Sequence, residues 1–327
     1  NASIVWPLGA QTKAGNLATW NPQTKSTVPF GVVRATIKQR INEASTWEEV
    51  AANVLARDFT NGGCGDFTIE PARKFLFLNS TTGVTQDITV VSGVDYAVSF
   101  SGTGSITFSV GATGTLTGSG ATALDRVSSI VTTTGTSVTC TVSGTVQYVN
   151  IEINTNDSSV TYPTSWMKTL GSIVTRNADV PSLTGASALL GDSEGGMYME
   201  LSYFDSSRIS LSSGNANDRV LLIKTNQLIF ETKVGNVIQS TISGGAITNG
   251  TFYKIGSRYS TSSFSLYLDG VQIGENLSGN TFGDGVLNSV FLADGNGTST
   301  PFCGRIRQFV VFNQSPTNSQ LDAITTP

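Results

Sequence analysis

The stretch "SSFSLYLDGVQIGENL" at residues 262–277 alternates apolar and small polar residues on both sides of an Asp-Gly pair. On its first half, Phe264, Leu266 and Leu268 lie two residues apart. Side chains at this spacing point to one face of a strand, so the pattern predicts a β-strand with one buried face.

The second half of the stretch predicts a return strand. Asp269-Gly270 supplies the positive φ angles that a two-residue type I′ turn requires. Val271 and Ile273 then repeat the two-residue spacing. We therefore expect a β-hairpin with one face in the core and the other in water.

The composition extends this prediction to the whole chain. With 327 residues there is room for two or three domains. Only 13% of the residues are charged, while 35 are glycine, a mixture that favours many short strands and tight turns over helices. The expected fold class is all-β, with tandem β-sandwich or jelly-roll modules and a small mixed N-terminal region that contains one short helix.

The charge and the cysteines exclude several kinds of function. The net charge is −4 and no basic tract is visible, which argues against nucleic-acid binding. No apolar run approaches the roughly 18 residues of a membrane span. Histidine is absent, which removes the commonest general base and zinc ligand. The three cysteines lie far apart, so neither a disulfide framework nor a zinc site is expected.

Composition divides the chain into three segments: an N-terminal attachment region (1–74), a Ser/Thr/Gly-rich β-sandwich (75–165) and a C-terminal jelly roll (166–327). In the first segment the best helix candidate is 46–57, where Ser45 and Glu48 have the spacing of a capping box. Its buried stripe would consist of Val50, Val54 and Leu55.

The second and third segments are rich in strand patterns. In the second, the expected core residues alternate along four strands: Tyr96, Val98, Phe100, Ile106, Phe108, Val110, Val138, Cys140, Val142, Val149, Ile151 and Ile153. In the third, strands are predicted at 195–204, 218–226, 227–234, 251–260, 289–295 and 304–313. The chain then ends in a short helix with Thr317 as N-cap and Gln320 as its capping-box partner.

The C-terminal segment resembles the closing half of a concanavalin-A-like, laminin-G-like jelly-roll domain. The resemblance rests on the order of "LDGV" (268–271), "VFLADG" (290–295) and "CGRIRQFVVFNQSPTNSQLDAI" (303–324). Such domains commonly finish with a Gly-x-Ile-Arg strand and a capped helical turn.

Three further stretches are similar to tandem β-sandwich modules of tailed-bacteriophage virion proteins, such as tail fibres and head fibres. They are "IEPARKFLFLNS" (69–80), "YAVSFSGTGSITFS" (96–109) and "TRNADVPSLTG" (175–185). The two resemblances together cover residues 69–327, whereas residues 1–68 match no such pattern.

Glycan binding needs planar polar groups and an aromatic face on loops at the rim of the fold. Three loops offer such groups, although turns require the same residue types for their own geometry. The candidate ligand-binding residues are Tyr203, Asp205, Arg208, Asn215, Asn217, Asp218, Arg219, Asp294 and Asn296.

A metal site is a further expectation. Laminin-G-like domains sometimes hold calcium through acidic side chains and carbonyl groups of the rim. Asp205, Asp218 and Asp294 would supply the carboxylates here if their loops converge. No other cofactor is expected.

Catalysis is not expected. A retaining glycosidase needs two carboxylates about 5 Å apart, and the Glu-x-Asp-x-Glu pattern common in enzymes of this fold is absent. Glu194, Glu200 and Asp205 are the nearest acids to one another in that part of the chain. Arg305 and Arg307 alternate with Ile306 and are expected to face solvent, a neighbouring subunit or an anionic glycan.

These observations lead to one functional hypothesis and two alternatives. The chain is expected to be a phage virion structural protein, a fibre or spike on the particle surface, whose lectin-like domain contacts host-cell glycan. Its partners would be other virion proteins, bound through the N-terminal region, and further copies of itself, as in trimeric fibres. The alternatives are a capsid decoration protein without receptor binding and a glycan depolymerase.

Overall fold

The computed structural model describes residues 2–6, 18–20 and 27–327, with side chains from Phe30 onward. The remaining part of the predicted attachment region, residues 1, 7–17 and 21–26, lies outside the described residues. The chain divides into two compact units. The jelly-roll unit comprises Asn1–Val33, Asp66–Glu70 and Val180–Pro327, and the sandwich unit comprises Arg34–Gly65 and Pro71–Asp179.

The described residues are nearly all β, which confirms the predicted fold class. The strands in chain order are β1 (Ala2–Trp6), β2 (Ala18–Trp20), β3 (Thr27–Pro29), β4 (Gly31–Val33), β5 (Lys38–Ile41), β6 (Trp47–Val50), β7 (Ala56–Asp58), β8 (Asp66–Ile69), β9 (Arg73–Phe75), β10 (Gln86–Thr89), β11 (Asp95–Gly102), β12 (Ser105–Ser109), β13 (Gly114–Thr117), β14 (Val127–Thr132), β15 (Ser137–Ser143), β16 (Val146–Asn154), β17 (Val174–Arg176), β18 (Val180–Thr184), β19 (Glu194–Tyr203), β20 (Ser207–Ser212), β21 (Arg219–Lys224), β22 (Gln227–Val234), β23 (Val237–Ala246), β24 (Phe252–Ser260), β25 (Ser263–Leu268), β26 (Val271–Asn276), β27 (Ser289–Phe291) and β28 (Gly304–Phe312). Two short 3₁₀ turns (Ala123–Asp125 and Ser187–Leu189) and one α-helix, α1 (Asn318–Thr325), complete the elements of the described chain.

The sandwich unit packs two antiparallel sheets face to face. One sheet has the strand order β10-β15-β12-β13 and the other β14-β11-β16-β9-β17. The core between them contains the alternating residues that the sequence predicts, from Tyr96 on β11 to Ile153 on β16. Val110 is the exception, because it lies just beyond the end of β12 with φ 72° and is 81% exposed.

The prediction of a helix at 46–57 is wrong. Residues Trp47–Val50 form β6 instead, paired with β5 so that Arg40 lies opposite Glu48. The Asn42 side chain shapes the intervening turn, since its Oδ1 accepts from the backbone of Ala44 and Thr46. A cross-strand ion pair of 2.7 Å between Arg40 and Glu48 then takes the place of the predicted capping box. Tertiary pairing here overrides local helix propensity.

The jelly-roll unit is built from two larger sheets. The front sheet has the order β23-β22-β21-β20-β27-β18-β4. The back sheet has the order β26-β25-β24-β19-β28-β1-β2-β3, and β8 also pairs with β28. Fully buried side chains alternate along the inner strands of both sheets, among them Met197, Met199, Ile255, Ile209 and Leu222. This alternation places the core between the front and back sheets.

The predicted hairpin is present as β25 and β26, with Leu268 opposite Val271. Asp269 and Gly270 have φ angles of 48° and 77°, as a type I′ turn requires. Its second face differs from the prediction. Tyr267 on that face is only 4% exposed, because α1 covers the outer surface of the back sheet. Val271 is 61% exposed, because β26 is the edge strand.

The predicted C-terminal helix is confirmed. Thr317 accepts a hydrogen bond from the backbone of Gln320, and the Gln320 side chain accepts from the backbone of Thr317. Leu321 and Thr325 on the buried side of α1 lie against Gly256 of β24. Within the part of the chain that is described, no helix has the length and apolarity to cross a membrane.

Candidate functional site

The outer face of the front sheet carries a row of ion pairs. Strand register places Arg219 on β21 and Glu231 on β22 at neighbouring positions of this face, and Arg208 on β20 belongs to the same face. Arg219 Nη1 lies 2.7 Å from Asp294 Oδ1, and its Nη2 lies 2.9 Å from Glu231 Oε1. Arg208 Nη1 contacts the second oxygen of Asp294. Three strands and one loop therefore meet in a single charged cluster, which we call the arginine cluster (Arg208, Arg219, Glu231 and Asp294).

A tight loop after β27 positions Asp294. The backbone N–H of Asp294 donates to Ser299, and the N–H of Gly297 donates back to the carbonyl of Asp294. Gly295 is required at this point, since a Cβ there would lie 2.5 Å from the carbonyl oxygen of Asn215. The close approach brings the β20–β21 loop, with Asn215, beside the loop that holds Asp294.

Exposure differs along the arginine cluster. The Arg208 side chain is 32% exposed, whereas those of Asp294 and Arg219 are 9% and 11% exposed. The Nε atoms of Arg208 and Arg219 have no hydrogen-bond partner among the described residues. The two positive and two negative charges balance. The cluster therefore presents one partly exposed guanidinium group, that of Arg208, which the Asp294 carboxylate holds in place.

The other predicted residues mostly shape turns. The Oδ1 atom of Asn215 accepts from the backbone of Asn217, that of Asp218 accepts from Gly235, and that of Asn296 accepts from Thr298. These bonds explain why turns favour asparagine and aspartate. Each side chain still has hydrogen-bonding groups that could contact a ligand.

Tyr203 and Asp205 lie apart from the arginine cluster. The Tyr203 side chain is 1% exposed and packs edge-on against Phe302 at 5.5 Å between ring centroids. Burial raises its pKa. The expectation that Tyr203 offers an aromatic face at a surface rim is therefore corrected, because β19 turns its ring inward. Asp205 accepts from the backbone of Ser206.

The three predicted metal ligands do not form one cluster. No group of three or more acidic, Cys or His side chains able to hold a metal occurs within the described ranges. Asp294 is engaged by two guanidinium groups, Asp218 holds a turn and Asp205 caps another. Asp205, Asp218 and Asp294 therefore do not converge on one calcium site.

The acids and arginines of the back sheet serve other contacts. Glu194 and Glu200 are six residues apart on one strand, which corresponds to about 20 Å. Arg307 Nη1 lies 3.2 Å from Glu200, its Nε lies 3.1 Å from Asp66, and its guanidinium stacks 3.6 Å over the Phe252 ring. Arg307 is thus held within the unit rather than free in solvent as expected.

Glu231, a member of the arginine cluster, was not among the residues predicted from the sequence. Glu231 lies between Phe230 and Thr232 on β22, and its alternation with the buried Leu228 and Phe230 places it on the outer face. That periodicity is a usable signal, but only the strand order reveals that Arg219 is its neighbour.

Comparison with known proteins identifies the C-terminal domain. Residues 186–322 match the family Laminin_G_3, described as the concanavalin A-like lectin/glucanases superfamily. This range contains strands β19 to β28 and the first half of α1, so the C-terminal part of the chain carries a concanavalin A-like domain. No curated protein matched the sequence.

Several solved structures are similar to this chain. The CBM40 of the Ruminococcus gnavus IT-sialidase, bound to alpha2,3 sialyllactose, has a TM-score of 0.38 at 17% identity, over 43% of this chain and 87% of that one. Domain 4 of AbnA, a GH43 extracellular arabinanase from Geobacillus stearothermophilus, has 0.38 at 12% identity, over 46% and 73%. The native heptameric SAP-like pentraxin from Limulus polyphemus has 0.34 at 13% identity, over 41% and 70%.

Proposed function

We propose that the jelly-roll unit is a non-catalytic carbohydrate-binding domain whose ligand site is the outer face of the front sheet around Arg208. The single observation that carries this proposal is the arginine cluster, in which Asp294 fixes two guanidinium groups on one sheet face. Sugar hydroxyl groups need donors and acceptors in fixed positions, and a guanidinium held by a carboxylate loses little conformational entropy when it binds. The lectin/glucanase family match of residues 186–322 supports the same ligand class.

The ion pairing of the acids at this face supports binding rather than hydrolysis. The acids of the arginine cluster, Asp294 and Glu231, are both paired with Arg219. Each of these carboxylates is thereby engaged by a guanidinium group rather than free to act on a glycosidic bond. Glu194 and Glu200 are separated by more than twice the distance that an inverting glycosidase uses, which is roughly 6.5–9.5 Å.

A glycan array followed by calorimetry tests the binding proposal. The purified chain is expected to bind a subset of immobilised glycans, and Arg208→Ala is expected to weaken that binding by roughly tenfold, equivalent to ~1.4 kcal/mol. Arg40→Ala is the matched control, since it removes a partly exposed arginine from an ion pair in the other unit. Binding that is equally strong in wild type and Arg208→Ala would place the ligand elsewhere.

We further propose that the chain is a virion structural protein of a tailed bacteriophage, a fibre or spike exposed on the particle. The resemblance of residues 69–185 to fibre modules supports this. In this role the first 74 residues would attach to other virion proteins. Self-association, for example into a trimer, would multiply a weak single-site affinity for host-surface glycan.

Two measurements test the virion proposal. Sedimentation equilibrium of the purified chain is expected to give an oligomer, and a strict monomer would remove the multivalency argument. A reconstruction of the intact particle is expected to place the jelly-roll unit outermost. A position buried against the shell, together with no glycan binding, would favour a capsid decoration protein.

A further inference from the structure

A second concave surface lies on the opposite side of the jelly-roll unit. Helix α1 crosses the outer face of the back sheet beside the β25–β26 hairpin, and between them is a groove of about 300 Å³. We call it the helix groove; its lining residues are Tyr267, Gly270, Gln272, Asn318, Ser319 and Asp322.

Register and helical spacing place polar groups on two walls of this groove. Gln272 on β26 is directly opposite Tyr267 on β25, so both side chains belong to the outer face. Asn318 and Asp322 are four residues apart on α1 and therefore share one face of the helix. The amide of Gln272 and the carboxylate of Asp322 thus line the same groove from different elements.

The walls are fixed before any ligand arrives. Asn318 Oδ1 accepts from Ser265 at 3.1 Å, and its Nδ2 donates to Glu275 at 3.2 Å. At the other end of α1, the Thr325 hydroxyl accepts from the backbone of Gly270 at 3.2 Å. Both ends of the helix are therefore tied to the hairpin, which pre-organises the groove.

The charge of the helix groove selects against anions. None of its six lining residues is cationic, and Asp322 contributes a carboxylate. Burial raises the pKa of Tyr267, the nearby carboxylates of Glu275 and Asp322 raise it further, and the guanidinium group of Arg258 acts in the opposite direction. The Glu275 carboxylate is paired with Arg258 at 3.1 Å, so the unpaired charge of the lining is that of Asp322. An anionic ligand would meet this carboxylate, whereas neutral hydroxyl groups can donate to it and exchange hydrogen bonds with the Gln272 amide.

We propose that the helix groove is a second carbohydrate-binding site, which takes one neutral hexose unit. This site is separate from the one around Arg208. The two sites share no residue, and the helix groove lies on the outer face of the back sheet. Because the outer faces of the two sheets point in opposite directions, the two sites hold separate sugar chains. The jelly-roll unit is therefore bivalent for glycan without self-association.

Amide chemical-shift mapping of the full chain tests this site. The probes are methyl α-D-mannopyranoside, methyl α-D-glucopyranoside and methyl β-D-galactopyranoside, with methyl β-D-glucuronide as the anionic comparison. At least one neutral probe is expected to shift the amides of Tyr267, Gln272 and Ser319. Asp322→Asn is expected to weaken the effect about tenfold, and Ser319→Trp is expected to abolish it by filling the groove. Asp284→Asn, an exposed acid elsewhere in the unit, is the matched control and should leave the effect unchanged.

The outcomes separate this proposal from the first one. Shifts that survive Arg208→Ala but disappear in Ser319→Trp support the helix groove as an independent site. No shift at these amides with any neutral probe overturns it, even if array binding depends on Arg208. A stronger response to the glucuronide than to the neutral sugars also overturns it, because the charge argument would then be wrong.

Discussion

Asp179 and Arg34 form an ion pair in the interior of the sandwich unit, with both side chains fully buried. A second cation, Lys38, lies 2.8 Å from the other oxygen of the same carboxylate and is equally buried. Charges removed from water in this way are tolerated only when each is paired and hydrogen-bonded. The guanidinium group of Arg34 meets this condition with further bonds to the carbonyl groups of Thr36 and Ala51.

Removal of the Asp179 carboxylate is expected to destabilise the sandwich unit strongly. Asp179→Ala leaves two buried cations facing each other, at a cost of about 3–5 kcal/mol. Asp157→Ala is the matched control, because its partner Lys74 and Asp157 itself are 29% and 50% exposed. That change should cost less than about 1 kcal/mol. Urea unfolding followed by circular dichroism measures both, and equal losses would contradict the burial argument.

The arginine cluster is expected to respond unequally to changes in its members. Asp294→Ala leaves Arg219 paired only with Glu231 and removes the carboxylate oxygen that accepts from the backbone of Gly295 at 2.6 Å, at a cost of about 2–3 kcal/mol. Arg208→Ala removes a partly exposed partner and should cost less than about 1 kcal/mol. Thermal unfolding of the two variants provides the comparison. A larger loss for Arg208→Ala would contradict the assignment of Asp294 as the central member of the cluster.

The three thiols are expected to differ in reactivity. Cys140 is fully buried, and burial raises its pKa to about 12, with a further contribution from the carboxylate of Asp87. Cys303 is also buried, whereas Cys64 is exposed. Because the thiolate is the reactive form, a raised pKa leaves Cys140 protonated at pH 8. A disulfide reagent should therefore modify Cys64 rapidly and the other two only in denaturant. Rapid native-state modification of Cys140 would show that the sandwich core opens readily.

The type I′ turn of the β25–β26 hairpin is expected to depend on its glycine. Gly270→Ala forces a side chain into a left-handed conformation with φ 77°, where its Cβ would lie 3.0 Å from Thr326. The expected cost is roughly 1–2 kcal/mol. Gly283→Ala in the same unit is the control, because its Cβ would meet open space without a positive φ. Chemical unfolding should show little change for the control, and a neutral Gly270→Ala would imply that the turn adopts another type.

Local sequence patterns predicted the strands and the turns well where two-residue alternation was long. The β25–β26 hairpin, the core strands of the sandwich unit and the capped helix α1 all follow from spacing within about ten residues. The helix at 46–57 was wrong for a related reason: its propensity and apparent capping box are local, while the pairing of β6 with β5 depends on Arg40 and Asn42. Exposure was also mispredicted at Val271 and Tyr267, because an edge strand and a covering helix are not visible in a local pattern.

The candidate sites also combine features that the sequence predicted with features that only the fold revealed. The residue types of Arg208, Arg219 and Asp294 marked them as candidates from sequence alone, because loops and strand ends with such groups are typical of ligand sites. Their meeting on one sheet face, the addition of Glu231 and the withdrawal of Tyr203 into the core were decided by tertiary structure. The helix groove belongs wholly to this second class, since its two walls come from a hairpin and a helix about fifty residues apart. The sequence by itself determined the β-rich architecture, because strand alternation and turn chemistry act between near neighbours. Strand order and register bring distant residues together, and so only the folded chain decided which polar groups share a surface.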